Sequence, residues 1–286
     1  MPHVHPTNHG YTTFGSRTPG GSLGEVSAYQ GEVRWSDRAR RETIKERKSF
    51  RTARQAEAKY GAQLRSIAAQ CGVIIRGLTP RGGIPDPVIV EQTLRRYSEM
   101  IRPWAKSVGE RMLSDVRRRD EAVWASMAQD MSRDLQSEVR RAPTGEALRQ
   151  LLQEQIHLIT SIPLDAAERV HKLALEARVG GSRYDEIVDM IRRSGHVTKS
   201  RATLIARTEV ARTASGLVQA RATYVGSEGY IWRTAEDGDV RKSHKKLGGK
   251  FIRWDRPPTT DGLTYHAGQG PNCRCYPEPV IPDQIQ

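Results

Sequence analysis

From Val90 to Ala220, apolar residues recur at spacings of three and four, and near Val225 that recurrence stops. Such spacing puts one apolar stripe on each of a series of helices, and each stripe must be covered by another. Val90, Leu94, Tyr97, Ile101, Trp104, Val108 and Met112 form the first stripe, and Pro103 predicts a kink or break near Ile101. Val123, Met127, Met131 and Leu135 carry it on or begin another helix. Pro143-Thr144-Gly145-Glu146 opens a helix with face Leu148, Leu151, Leu152, Ile156 and Ile159, and Thr144 is a candidate N-cap. Pro163 is expected to start the next helix, lined by Ala167, Val170, Ala174 and Ala177 and ended by Gly180-Gly181. A short helix over Tyr184–Arg193 follows. Thr198 or Ser200 then caps one that runs to about Val225.

Beyond Val225 the texture is that of a small mixed module. Tyr230–Thr234 reads as a strand, Asp237-Gly238-Asp239 as a turn, Val240–Lys246 as a short helix and Gly248-Gly249 as a turn. Lys250–Asp255 reads as a strand and Arg256–Asn272 as a loop. Cys273–Val280 is the last strand, near a sheet edge because of Pro277 and Pro279. The expected fold class is therefore α+β: a mostly helical N-terminal and middle region, then a small C-terminal α+β module of short antiparallel strands. The boundaries fall at 1–35 (an extended arm rich in Gly and Ser), 36–85 (a basic helix and linker), 86–196 (a helical domain) and 197–286 (the C-terminal module).

Charge narrows the partners. The formal net charge is +13, which attracts polyanions, nucleic acid first among them. No long apolar run provides a membrane span. Residues 36–65 hold ten bases against four acids. Arg38, Arg40, Arg41, Lys45, Arg47, Lys48, Arg51 and Arg54 are candidates for contact with DNA phosphates or an acidic partner. A solvated helix laced with ion pairs is the competing reading. Three cysteines make no disulfide framework, so a reducing compartment is expected.

Three clusters in the C-terminal half could carry chemistry. Arg207, Thr208, Glu209 and Arg212 lie on a helix of small residues. Glu209 is either a member of a structural ion-pair network or a general base or nucleophile. Asp237, Asp239, Arg241 and His244 surround a turn and serve either acid–base chemistry or the turn itself. Cys273 and Cys275, at i and i+2 of a strand, direct both sulfurs to one side. With His244 and His266 they make a candidate Cys₂His₂ zinc site, although the spacing is not that of a zinc finger. Thiols packed as small apolar groups, or a Cys-x-Cys disulfide, are the alternatives.

An ordered set of short motifs spans Val197 to Val280. They are Ile205-Ala206-Arg207-Thr208-Glu209, Gly229-Tyr230-Ile231-Trp232, Asp239-Val240-Arg241 with His244, Gly248-Gly249, and Asn272-Cys273-Arg274-Cys275. The set resembles the phage head morphogenesis family, minor head proteins similar to protein F of phage Mu. Residues 90–194 fit the family more loosely. The resemblance implies a virion component inside the capsid near the portal vertex, assembled in the host cytoplasm. It implies contacts with the portal protein, with packaged double-stranded DNA, and with major capsid or scaffolding protein. It makes Arg207, Thr208, Glu209, Trp232, Asp239, Arg241, His244 and Gly249 structural hallmarks, and it implies no enzymatic activity. The alternative is a nucleic-acid-processing enzyme that uses Glu209, Asp237, Arg241 and His244.

Overall fold

The computed structural model describes residues 53–281 apart from 82, 128–136, 138, 180–183 and 237. The expected arm, the bases from Arg38 to Arg51, Met131, Leu135, Gly180-Gly181 and Asp237 lie outside the described residues.

Among the described residues the larger part is built chiefly from α1 (Arg54–Leu78), α2 (Pro87–Met100), α3 (Arg102–Met127), α4 (Thr144–Val179), α5 (Tyr184–Arg192) and α6 (Ser194–Tyr224). Helix α1 opens within the basic segment, yet it buries Tyr60, Leu64, Ile67, Cys71 and Ile75. Its main partner is α6. The two run antiparallel and meet on small residues. A Cβ on Gly195 would lie 3.0 Å from the Gly72 Cα, and one on Gly61 would lie 3.4 Å from the Ala206 Cβ. Glycine is needed at Gly72 and Gly195 because the two backbones all but touch there.

Helix α2 starts on a cap of sequence-readable type. The Asp86 carboxylate accepts the N–H groups of Val88 (2.8 Å) and Ile89 (3.4 Å), and Pro87 fills the first helical position. The expected break at Ile101 is present, between α2 and α3, with Pro103 in the first turn of α3. Pro163 behaves otherwise than expected. It does not start a helix but lies inside α4. A proline there leaves the Ile159 carbonyl without its helical N–H donor; one residue on, Ser98 Oγ of α2 donates to the Thr160 carbonyl at 2.7 Å. The cap expected at Thr198 or Ser200 is also corrected, because α6 begins at Ser194. Both residues sit inside it, with hydroxyls donating four residues back to Ser194 and His196.

The second part has five strands: β1 (Gly229–Arg233), β2 (Phe251–Arg253), β3 (Thr259–Thr260), β4 (Leu263–Thr264) and β5 (Tyr276–Pro279). A one-turn helix, α7 (Lys242–Lys245), lies between β1 and β2. An antiparallel sheet runs β2-β1-β5, with Tyr230 opposite Ile252 and Pro279, and Trp232 opposite Pro277. Strand β5 is at the edge, where its prolines are tolerated. It starts at Tyr276, so Cys273 and Cys275 precede the strand rather than lie in it. The expected loop at 256–272 contains a hairpin, β3–β4, turned by Asp261 (φ 54°) and Gly262 (φ 78°). Left-handed φ at both central residues is the signature of a tight Asp-Gly hairpin turn.

Two cores result. One lies among α1 to α6 and is almost wholly aliphatic and alanine-rich. The other gathers Trp124, Val218, Ala222, Tyr230, Trp232, Trp254, Tyr265, Cys273, Cys275 and Tyr276. Helix α6 serves both, its N-terminal half in the first and its end in the second. Among the described residues no helix is long and apolar enough to cross a membrane.

Candidate functional site

Motif residues far apart in sequence converge on one short loop, 270–275. Helix α6 offers Arg207 and Thr208 to it. The Thr208 hydroxyl accepts the Asn272 N–H at 2.9 Å, and Arg207 donates to Asn272 Oδ1 at 3.0 Å and to Glu57 of α1 at 3.2 Å. Asn272 has φ 54°, a left-handed conformation in which Asn is among the best tolerated side chains. Arg241, just before α7, donates to the Pro271 carbonyl at 2.8 Å, and Asp239 accepts from Arg274 at 2.6 Å. Gly270 lies under Tyr265, whose ring would be 2.5 Å from any Cβ there. Held on these sides, the loop turns Cys273 and Cys275 inward, where both are buried.

The buried imidazole of His244 on α7 meets them. Its Nδ1 lies 3.6 Å from Cys273 Sγ and 3.5 Å from Cys275 Sγ. The three donor atoms lie within 4.8 Å of one another. On the other side of the ring, Nε2 is 3.0 Å from the Tyr265 hydroxyl and 3.6 Å from Asp261 Oδ2. The β3–β4 hairpin carries that carboxylate. Trp232 sets its ring edge-on to His244 at 5.5 Å. The turn behind α7 is fixed to β1 by the Gly249 N–H, which donates to the Trp232 carbonyl at 2.9 Å with Gly249 at φ 81°.

The two thiols are inequivalent. A hydrogen bond from Cys275 holds Cys273 well below the ordinary thiol range against the opposing effect of burial; His244 and the Cys275 amide (3.4 Å from the Cys273 sulfur) help. Cys275 is pushed up because it donates to Cys273 and is buried. Cys71 differs: burial among helices raises it to about 12, as expected of a thiol used as a small apolar group.

His266 is not brought to the sulfurs. Its Nδ1 lies 3.2 Å from the Tyr230 hydroxyl, and the ring also hydrogen-bonds the Trp254 backbone. Burial lowers its pKa to about 4, so it is a neutral core histidine with its polar atoms satisfied. The expected four-residue donor set is therefore reduced to three: His244, Cys273 and Cys275. All three cysteines are free thiols.

Glu209 sits elsewhere, in a buried polar chain that ties three helices. Tyr60 of α1 donates to Gln155 of α4 at 2.8 Å, and Gln155 donates to Glu209 of α6 at 2.7 Å. Arg212 bridges to Glu154 at 3.0 Å and lies 3.9 Å from Glu209. Burial raises the Glu209 pKa while Arg212 and Gln155 oppose it. Glu209 is 1% exposed, enclosed among the helices. Of the expected acid–base group, Asp239 and Arg241 are engaged with the 270–275 loop and His244 faces sulfur.

Sequence reading missed a second buried pair. Arg221 near the end of α6 donates to Asp120 of α3 at 2.6 Å and to the Val139 carbonyl at 2.7 Å. Burial raises Asp120 to about 6, with Arg221 opposing. The signal was present: Asp120 falls on the same stripe as Val116, Trp124 and Met127, all buried. A cavity of about 420 Å³ separates the start of α1 from α6 and the cysteine loop. Arg54, Glu57, Arg65, Arg207, Cys273 and Arg274 are among its walls, so its charged groups are mostly basic.

Residues 168–277 match the family described as Phage Mu protein F like protein. The matched interval contains Arg207, Thr208, Asp239, Arg241, His244 and the whole cysteine loop. A Haemophilus influenzae (strain Rd) protein, named only as an uncharacterized protein, is 32% identical over 154 residues, which is 54% of this chain and 34% of that protein. The chain thus matches about a third of that relative's length. No solved structure matches.

Proposed function

The region 168–277 is phage Mu protein F-like, and from that premise we propose that the chain is a structural minor head protein of a tailed bacteriophage. It acts in head morphogenesis and genome packaging or delivery. It sits inside the capsid near the portal vertex, bound to portal protein and touching packaged double-stranded DNA without sequence preference. Major capsid or scaffolding protein is a further contact during assembly. The observation that carries the reading is the use to which the motif residues are put. Arg207, Thr208, Asp239 and Arg241 each spend their polar atoms on the 270–275 loop or its supports. Residues so used build a shape rather than await a substrate.

Charge supports the DNA contact. The chain carries a net +13, and Arg54 and Arg65 line one cavity beside the cysteine loop. Phosphate contacts of this kind release counterions, so binding weakens steeply with salt. The test is a pair of measurements on the full chain. Co-expressed portal protein should co-elute with it on size exclusion. Duplex DNA of any sequence should bind at roughly 50 mM salt and lose most of its affinity by roughly 200 mM. A chain that ignores both portal and duplex DNA overturns the proposal. A nuclease assay with Mg²⁺ or Mn²⁺ decides against the enzymatic alternative if wild type and His244→Ala are equally inactive.

A further inference from the structure

We propose that His244, Cys273 and Cys275 form a zinc site that staples the C-terminal module, independently of any role in a phage head. The distances carry the inference. Tetrahedral coordination with Zn–S near 2.3 Å and Zn–N near 2.0–2.1 Å sets a bound sulfur and a bound nitrogen about 3.6 Å apart. The two sulfur–nitrogen distances here are 3.6 and 3.5 Å. A pair of thiols packed only to fill space has no need of an imidazole nitrogen equidistant from both.

The surroundings match what a zinc-bound histidine requires. A metal on Nδ1 leaves the proton on Nε2, and that atom faces the Tyr265 hydroxyl (3.0 Å) and the Asp261 carboxylate (3.6 Å). An oxygen acceptor behind the ligating ring fixes its tautomer and raises its basicity. The Cys275 amide points at the Cys273 sulfur, 3.4 Å away, and such a bond favours a thiolate ligand. Both sulfurs would bind as thiolates, Cys275 giving up its proton to solvent, and two thiolates with Zn²⁺ sum to zero charge. The site therefore adds no net charge to a pocket walled by Trp232 and Tyr265. Three protein donors leave a fourth position for water, and Cys273 lines the cavity through which one would enter.

A staple answers a need of the fold. The module's sheet has strands of five, three and four residues, and its hairpin has strands of two. So little sheet orders itself poorly without a cross-link. The three donors come from α7 and from the loop that enters β5, so one ion would lock the two connections that flank the sheet.

The untagged full chain, purified under reducing conditions without chelator, should contain about one zinc per chain by elemental analysis. Cobalt(II) added to metal-stripped protein should give thiolate-to-cobalt charge-transfer absorption. His244→Ala, Cys273→Ser and Cys275→Ser should each lose the ion, whereas His266→Asn and Cys71→Ser should keep it. Wild-type protein that is folded and reduced yet holds less than about a tenth of an equivalent of zinc and gives no cobalt–thiolate band overturns the proposal. Loss of the ion from folded His266→Asn overturns the donor set. If the ligand variants do not fold, the wild-type zinc content and cobalt spectrum decide alone.

Discussion

The core among α1 to α6 and the core beneath β1 are built from different materials. The first is filled by Leu64, Ile67, Ile75, Leu94, Ile159, Ile162, Val170 and Ile191, with alanines and glycines where α1 and α6 approach. Each such aliphatic side chain contributes about 1.5–3 kcal/mol on burial and asks nothing of its neighbours beyond shape. The second is filled by side chains that carry a polar atom: Tyr230, Trp232, Trp254, Tyr265, His244, His266 and two cysteines. Those atoms must each find a partner once buried. The difference teaches that the helical part is held chiefly by the shape of its aliphatic side chains, whereas the module is held by specific polar contacts around residues 270–275. Helix α6 joins the two, with Arg221 at the seam.

The largest effect is expected at that seam. Asp120→Ala leaves the Arg221 guanidinium buried and uncompensated and should cost about 3–5 kcal/mol in urea denaturation. The double change Asp120→Leu with Arg221→Met should recover most of that loss. A cost below 1 kcal/mol for Asp120→Ala would mean that the cores are not joined there. The same pair has a pH signature. Burial lifts Asp120 from 3.8 to about 6 in the folded chain. Its contribution is therefore fully present below about pH 4 and is lost as pH rises through about 6. Asp120→Asn should remove that slope from the pH–stability curve.

Trp232→Ala comes next, at about 3–5 kcal/mol, since the ring is fully buried and backs His244. The loss should appear in tryptophan fluorescence before the helical circular dichroism signal falls. Simultaneous loss of both signals would deny the module its separate character. Gly195→Val tests the other region by forcing a side chain against Gly72, and overpacking there should cost about 1–3 kcal/mol in thermal denaturation. The smallest effect is expected at Asn272. Replacement by Ala should cost about 1 kcal/mol through the lost Arg207 bond, and replacement by Gly should cost less because glycine accepts the left-handed backbone.

How far the sequence revealed this molecule follows the same division. Apolar stripes exposed the helices from α2 on, and Pro103 exposed the break at Ile101, because period and punctuation are local properties; α1, expected as a basic helix, instead buries an apolar face. Pro163 misled, because the apolar face of α4 runs on through it, with Ile159, Ile162, Ala166 and Val170 all buried. Asp261-Gly262 was a readable hairpin signal hidden in a Pro- and Gly-rich stretch. In the candidate site, the pairing of Cys273 with Cys275 and with His244 was legible, though the cysteines meet in a loop and not along a strand. His266 was not separable from His244 by type. Only the fold shows that Tyr230 and Trp254 occupy its ring. Tyr265, Asp261 and Gln155 went unread because their roles rest on contacts formed across the chain.

The most direct test of the contrast is amide hydrogen exchange on the full chain, with zinc bound and after removal by a chelator. Protection should fall across β1, α7 and β5 on stripping, while α1, α4 and the N-terminal half of α6 keep theirs. Equal loss in both regions, or no change in either, would contradict it.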